Sequence, residues 1–157
     1  MILSITLSDS ELMTCRVIGN MRSLCARGNQ VNDAIMNDGF GMVMDEVGVI
    51  GEYAFCKLQN IFFDPSVSPR SGSYDCVFMG FRFDIKTTTR QDGRLLATKK
   101  RNPDVDAFAL AIVNGNEVSF PGFYLAKDLY VESNLKDLGH GEGYAVPQSM
   151  LKRWKDR

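Results

Sequence analysis

Two carboxylates and a lysine on two adjacent predicted strands are the residues of this sequence whose types and spacing could do chemistry. Residues 74–86 read Tyr-Asp-Cys-Val-Phe-Met-Gly-Phe-Arg-Phe-Asp-Ile-Lys. Asp75 opens the first apolar run, and Asp84 and Lys86 lie in the second. Because side chains alternate between the two faces of a strand, Asp84 and Lys86 share one face. Glu52, in a predicted upstream helix, is a further carboxylate among apolar neighbours.

These residue types fit the metal-dependent hydrolysis of a phosphodiester bond. Mg²⁺ held by one or two carboxylates and waters offsets phosphate charge, activates a water and stabilises the leaving oxygen. A lysine beside the metal can orient or deprotonate the attacking water and hold the phosphate. We therefore expect a nuclease centre made of Asp75, Asp84 and Lys86. Glu52 and the backbone carbonyl of Ile85 are candidates for further metal ligands.

Two other interpretations of the same residues stay open. Asp84 and Lys86 could form a solvated, salt-bridged strand face that contributes little stability. In that case Asp75 caps a turn, Glu52 faces water, and the charged groups do not converge. Alternatively, the fold serves binding without catalysis.

The composition indicates one globular domain that does not attract nucleic acid through its overall charge. The chain has 157 residues, 45% hydrophobic and 24% charged, with a formal net charge of -1. DNA binding would therefore require a local basic patch or a metal. A candidate patch, which could equally be a solvated loop, follows the strand that carries Lys86. It comprises Arg90, Arg94, Lys99, Lys100 and Arg101.

The cysteines and the N-terminal segment predict a cytoplasmic protein. The four cysteines include no Cys-x-x-Cys pair, and each lies in an apolar-patterned segment. This pattern favours buried free thiols in a reducing compartment over a metal cluster. Neither a signal peptide nor a membrane span is expected. The sequence also gives no indication of an organic cofactor.

Hydrophobic periodicity and turn signals predict the elements that position the candidate site. Ser8 and Glu11 have the spacing of a capping box at the start of a helix. Helices are expected over 9–26 and 44–60, a short one within 126–138, and a basic one over 150–157. Strands are expected over 73–79, 81–89, around 95–96, over 106–113 and over 117–124. Loops are expected over 28–42 (with a short helical turn at 31–36), 64–73 and 139–143.

Glu52 on a helix, then Asp75, then Asp84-Ile85-Lys86 on the following strand, resembles the core of the PD-(D/E)XK nucleases. The resemblance covers residues of about 45–130. It implies the restriction-endonuclease-like fold, an α/β architecture with a mixed sheet of four to five strands and flanking helices. It also implies that Asp75 and Asp84 are metal ligands, that Lys86 is the catalytic lysine, and that Glu52 is an accessory ligand.

The resulting hypothesis is a magnesium-dependent DNA endonuclease in which Mn²⁺ can replace Mg²⁺. The alternative is a catalytically inactive nuclease-fold protein that binds DNA or a host protein. We expect a single domain over 1–157, with an N-terminal helical extension (1–43), a core (44–130) and a C-terminal extension (131–157). The expected partners are DNA and a second copy of the chain, with the apolar N-terminal helix as the candidate dimer face. Because small proteins of this kind are common in phages, the host cytoplasm is the expected location if a phage encodes the protein.

Overall fold

The computed structural model describes residues 1–28, 38–68 and 74–155. Its described helices are α1 (Asp9–Gly28), α2 (Asp38–Gln59) and the short α3 (Ala126–Leu129). The strands are β1 (Leu3–Thr6), β2 (Cys76–Phe78), β3 (Phe81–Thr88), β4 (Leu95–Thr98), β5 (Ala107–Asn114), β6 (Glu117–Leu125), β7 (Leu135–Asp137) and β8 (Glu142–Val146). The helical turn predicted at 31–36 lies outside the described residues.

The strands form two sheets. The larger one has five strands in the order β1-β6-β5-β3-β2, and the smaller one has three in the order β4-β8-β7. In the larger sheet β3 and β5 are parallel, and the other neighbours are antiparallel. The prediction of a mixed sheet with four to five strands and flanking helices is therefore confirmed. The restriction-endonuclease-like fold remains a prediction.

Strand β5 lies in the middle of the molecule and belongs to both hydrophobic cores. Its small side chains Ala107, Ala109 and Ala111 belong to the core shared with α1 and α2. Its large side chains, Phe108 and Leu110 among them, belong to the core shared with the smaller sheet. Since successive side chains point to opposite faces, the alanine face lets α2 approach closely, while the other face fills the space beneath the smaller sheet.

Helix α1 begins with the predicted capping box. The Ser8 backbone N–H donates to Glu11 Oε2 at 2.7 Å, and the Glu11 N–H donates to Ser8 Oγ at 3.2 Å. Further along the helix, Gly19 lies so close to α2 that an added Cβ would be 2.8 Å from the Glu46 Cα. The absence of a side chain at Gly19 therefore sets the distance between the two helices.

A two-residue turn at Met79 and Gly80 connects β2 to β3. Both residues have positive φ, 51° and 79°. Such a turn matches the twist of an antiparallel pair and fixes its register. The register pairs Cys76 with Phe83.

Three sequence predictions about elements were wrong, and strand β1 was not predicted. Residues 3–6 form this strand because they pair with the distant β6. Helix α2 begins at Asp38 instead of 44. Part of the predicted 139–143 loop belongs to β8, which pairs with β4 and β7. The predicted 150–157 helix is absent from the described residues to 155, where Lys152 instead pairs with Phe123. Among the described residues, no helix is long and apolar enough to cross a membrane.

Candidate functional site

Asp75 comes directly before β2, beside the part of β3 that extends beyond its pairing with β2. Its backbone N–H donates to the Phe83 carbonyl at 2.8 Å, which continues the pairing of β2 with β3 by one residue. Its side-chain Oδ2 then accepts the Ile85 N–H at 2.7 Å. The Asp75 carboxylate therefore takes the place of the backbone acceptor that a longer β2 would have supplied.

Asp84 and Lys86 share one face of β3, as the alternation predicts. The Lys86 ammonium lies 2.8 Å from Asp84 Oδ1 and 5.8 Å from the centre of the Phe108 ring. In register, Asp84 is beside Phe108 and Lys86 is beside Leu110, so this is the face that β5 turns towards the smaller sheet. The Lys86 side chain is 36% exposed and that of Asp84 is 18% exposed. Lys86 therefore has the better access to a ligand in solution.

Glu52 reaches the same region from α2 and is held there by Arg22 of α1. The Arg22 guanidinium lies 2.9 Å from Glu52 Oε2, and both side chains are largely buried. Its other N–H groups donate to the backbone carbonyls of Asp64 and Ser66 at 3.0 Å. Sequence reasoning missed Arg22, because nothing in its own helical segment indicates a partner 30 positions away.

The Asp75 carboxyl is influenced by the charges of the other three predicted side chains. The pKa of the Asp75 carboxyl is raised to about 7, first by burial and then by the negative charges of Glu52 and Asp84. The Ile85 N–H and the Lys86 charge act in the opposite direction and do not cancel the increase. Asp75 therefore lies within electrostatic range of Glu52 on α2 and of Asp84 and Lys86 on β3, and negative charge is in excess around it.

The oxygen atoms at this edge of β3 are candidate ligands for Mg²⁺. Within the described residues, no group of three or more His, Cys, Asp or Glu side chains is arranged to hold a metal ion. Two carboxylates suffice for Mg²⁺, however, because its other positions are filled by waters. All the candidate ligand atoms are oxygens. The Ile85 N–H points to the edge of β3 where Asp75 lies. The Ile85 carbonyl points to the same edge, because the N–H and C=O of one strand residue lie on the same side of the strand. Asp75, Asp84 and the Ile85 carbonyl therefore fit the metal, whereas Glu52 is already paired with Arg22.

The predicted basic patch surrounds β4, and several of its charges have partners. Arg90 pairs with Asp92, and Lys99 lies 2.5 Å from Glu142. Arg101 lies over the Tyr130 ring and donates to the Tyr130 carbonyl. Arg94 and Lys100 are exposed beside the same strand. The patch is therefore a set of mixed charges in which Arg94 and Lys100 are the most available to a phosphate.

Arg82 and Asp106 form a second charged pair near the site that sequence reasoning did not identify. Two N–H groups of the Arg82 guanidinium donate to the two Asp106 carboxylate oxygens at 2.9 Å. The guanidinium is the main cause that lowers the pKa of Asp106 to about 2. This bidentate pair ties the start of β3 to the start of β5 and so supports the strand that carries Asp84 and Lys86.

Comparison with known proteins gave no relative. No protein-family model matches the chain, and neither the curated proteins nor the solved structures include a significant match.

Proposed function

We propose that the protein is a Mg²⁺-dependent DNA endonuclease. The observation that carries the proposal is the buried Asp75 carboxylate, whose pKa is raised to about 7 by burial and by two further carboxylates. Burying a carboxylate next to like charges is unfavourable, and such arrangements are concentrated at functional sites. A divalent cation would offset the repulsion, and oxygen ligands are those that Mg²⁺ prefers.

Each residue has a role that follows from its position. Asp75, Asp84 and the Ile85 carbonyl would hold the ion, which when bound supplies charge compensation and an activated water. The Lys86 ammonium, half-exposed beside Asp84, holds a phosphate oxygen and orients the attacking water. Arg22 fixes the orientation of Glu52 through their ion pair. The Phe108 ring beneath Lys86 limits where the ammonium can move.

Cleavage of supercoiled, linear, single-stranded and branched DNA in Mg²⁺ or Mn²⁺ tests the proposal. We expect Asp84→Asn and Lys86→Met each to reduce the rate by about 100-fold or more, since each removes a group that acts in the transition state. Asp104→Asn, on an exposed carboxylate outside the cluster, is the matched control and should keep full activity. Equal inactivity of the wild type and both variants on all four DNA forms would refute the nuclease.

Contact with DNA is proposed to involve the patch of Arg90, Arg94, Lys99, Lys100 and Arg101. Exposed cations next to the strand that carries Lys86 can bind backbone phosphates on either side of the cleaved bond. Arg94→Glu and Lys100→Glu should weaken DNA binding in Ca²⁺ buffer and should reduce its salt dependence. Lys136→Glu, on the far strand of the smaller sheet, is the control.

A non-catalytic binding protein is the second candidate, and one observation favours it. The described charged groups of the cluster already have protein partners: Glu52 has Arg22, Asp84 has Lys86, and Asp75 accepts the Ile85 N–H. This arrangement is complete without a metal. Calorimetric titration with Mn²⁺ separates the candidates, because only the nuclease predicts heat that Asp75→Ala abolishes. DNA binding without such heat would support the second candidate.

A homodimer formed through α1 is also proposed. The outward face of α1 carries four exposed apolar side chains at helical spacing: Met13, Val17, Met21 and Leu24. A continuous apolar stripe of this kind is typical of a helix that packs against a partner. Light scattering should give a dimer for the wild type and a monomer for Val17→Glu combined with Met21→Glu. A monomeric wild type at micromolar concentration would exclude this interface.

A further inference from the structure

A pocket of about 820 Å³ lies beneath the end of α2, away from the carboxylate cluster. Helix α2 ends at Gln59, and Asn60 has a left-handed φ of 53°, which turns the chain away from the sheet. The sheet beyond this point, around Phe83 and Ala107, lines the pocket, and the segment 152–155 lines it as well. Volumes of this size are typical of sites for small ligands.

The floor of the pocket is aromatic and rigid. Trp154 packs against Phe123 with ring centres 4.8 Å apart and donates its indole N–H to the Phe120 carbonyl at 2.9 Å. Phe78 and Phe83 are buried beneath it, and the apolar surface most open to a ligand is that of Phe81, 46% exposed, and Met79, 80% exposed. Transfer of a hydrocarbon from water onto such a surface is favourable in proportion to the apolar area covered.

Positive charge is concentrated at the pocket, and no described lining residue is acidic. Lys152, Arg153 and Lys155 all line it, and the amino group of Met1 lies 3.5 Å from the Trp154 carbonyl. Lys152 shares its charge with Asp128 at 3.4 Å, and Arg153 donates to the Pro121 carbonyl at 2.8 Å. Lys155 is therefore the lining cation best placed to meet an anionic ligand.

We propose that this pocket binds a free long-chain carboxylate, with the hydrocarbon chain on the aromatic floor and the carboxylate at Lys155. An apolar floor with a cationic rim is complementary to a monoanion with a single charged end. A nucleobase is a poorer fit, because it requires several hydrogen-bonding groups in its plane. Apart from the cations, the polar side chain that lines the pocket is Gln59, which is itself buried.

The fluorescence of Trp154 provides a direct test, since it is the only tryptophan in the chain. Dodecanoate, added to the full-length protein below its micellar concentration, should change the Trp154 emission in a saturable way. Dodecanol and dodecylamine have the same chain length without the negative charge, and both should bind more weakly. Titrations without divalent cations keep the outcome independent of the nuclease proposal.

Two variants assign the binding to this pocket. Lys155→Glu should weaken dodecanoate binding by roughly threefold or more, because a charge beside the carboxylate is reversed, and should leave dodecanol binding unchanged. Lys127→Glu, on an exposed lysine of α3 outside the pocket, should change neither. Leu58→Phe, which fills part of the pocket, should weaken both ligands, whereas Leu24→Phe on the exposed face of α1 should not.

Three results would overturn the proposal. The first is the absence of a saturable response to dodecanoate in the wild type. The second is equal binding of dodecanoate and dodecanol, which would show that the cationic rim plays no part. The third is sedimentation with phosphatidylglycerol vesicles, or a response to adenosine monophosphate, that is stronger than the response to free dodecanoate. These last outcomes would assign the pocket to a membrane surface or to a nucleotide.

Discussion

The Asp75 carboxylate has two opposing effects on stability. It accepts the Ile85 N–H, which stabilises the junction of β2 and β3, and it places a buried negative charge beside Glu52 and Asp84. Asp75→Asn keeps an oxygen acceptor and removes the charge. In the presence of EDTA and above pH 7, where the Asp75 carboxyl is charged, we expect its Tm to be higher than that of the wild type by roughly 2–4 °C, equivalent to about 1 kcal/mol. Differential scanning fluorimetry measures this change.

Asp75→Ala is the matched comparison, because it also removes the acceptor and leaves the Ile85 N–H unsatisfied. Its Tm should fall below that of the wild type. If Asn and Ala lower the Tm equally, the repulsion among the three carboxylates is negligible in the folded protein. Added Mn²⁺ should stabilise the wild type and neither variant, because both lack a carboxylate ligand.

Sequence reasoning identified the residues of the cluster whose chemistry is visible locally. Asp84 and Lys86 share a face because of strand alternation alone, and Asp75 lies one hairpin away. Arg22 could not be predicted, because its pairing with Glu52 depends on how α1 crosses α2. The Arg82–Asp106 pair was missed for a related reason, since the parallel alignment of β3 with β5 is not encoded near either residue.

At the level of elements, two helical glycines should respond in opposite ways to the same substitution. A Cβ on Gly19 would be 2.8 Å from the Glu46 Cα and 2.9 Å from its nitrogen, and backbone atoms cannot easily move. Gly19→Ala should therefore force the helices apart and destabilise the protein by about 1–3 kcal/mol. Chemical denaturation gives the free energy of unfolding.

Gly48 of α2 is the control, since a Cβ there would have no heavy atom within 4 Å. Gly48→Ala should stabilise the protein by about 0.5–1 kcal/mol through helix propensity alone. Destabilisation of both variants to the same extent would mean that Gly19 is not a contact point between the helices.

The capping box of α1 predicts a pH dependence of stability. Hydrogen bonds from Lys57 and then from the Ser8 N–H lower the pKa of Glu11 to about 2, from an ordinary 4.5. A lowered carboxyl pKa contributes stability that is complete above pH 4.5 and disappears as the pH falls towards 2. The Tm difference between the wild type and Glu11→Gln should therefore be constant near pH 6 and should shrink below pH 4.5.

Thermal melts between pH 2 and pH 7 check this expectation. Lys57→Met removes the first cause of the lowered pKa, so the pH dependence should be smaller in its background. A Tm difference that does not change with pH would show that Glu11 acts through its shape and not through its charge.

Elements with local signals were predicted well, whereas elements defined by distant partners were not. The capping box and the strands expected over 106–113 and 117–124 have local signals, and all occur where expected. Strand β1 has only four residues, and its partner β6 lies more than 100 positions away. The segment predicted as a basic helix is not helical over residues 152–155, where the Trp154 indole bonds to the Phe120 carbonyl and Lys152 pairs with Phe123.

At the level of the whole molecule, β5 should couple the two cores into one folding unit. Its alanine face belongs to the core with Phe55, and its other face contributes Phe108 to the second core. Neither core can lose its packing without disturbing the strand that both share. Phe55→Leu and Phe108→Leu should each destabilise the protein by about 1–2 kcal/mol.

Two spectroscopic signals distinguish unfolding of one core from unfolding of the whole protein. Trp154 fluorescence reports on the core that contains Phe55, and far-UV circular dichroism reports on the secondary structure of the whole chain. In both variants the two midpoints should coincide, as they do in two-state unfolding. A Phe108→Leu protein whose dichroism melts before its fluorescence would show that the smaller sheet unfolds independently.

The length of the two-residue turn at Met79 and Gly80 also determines which side chains of β3 point to each face of the sheet. Phe83 and Asp84 are consecutive, yet one faces the aromatic core and the other faces the carboxylate cluster. Insertion of a single residue at the turn, if taken up by slippage of β3, would exchange the two faces along the whole strand. Asp84 would enter a core of Phe55 and Trp154, and a phenyl ring would occupy its place. The length of this turn, more than its composition, is therefore the property that the protein cannot change.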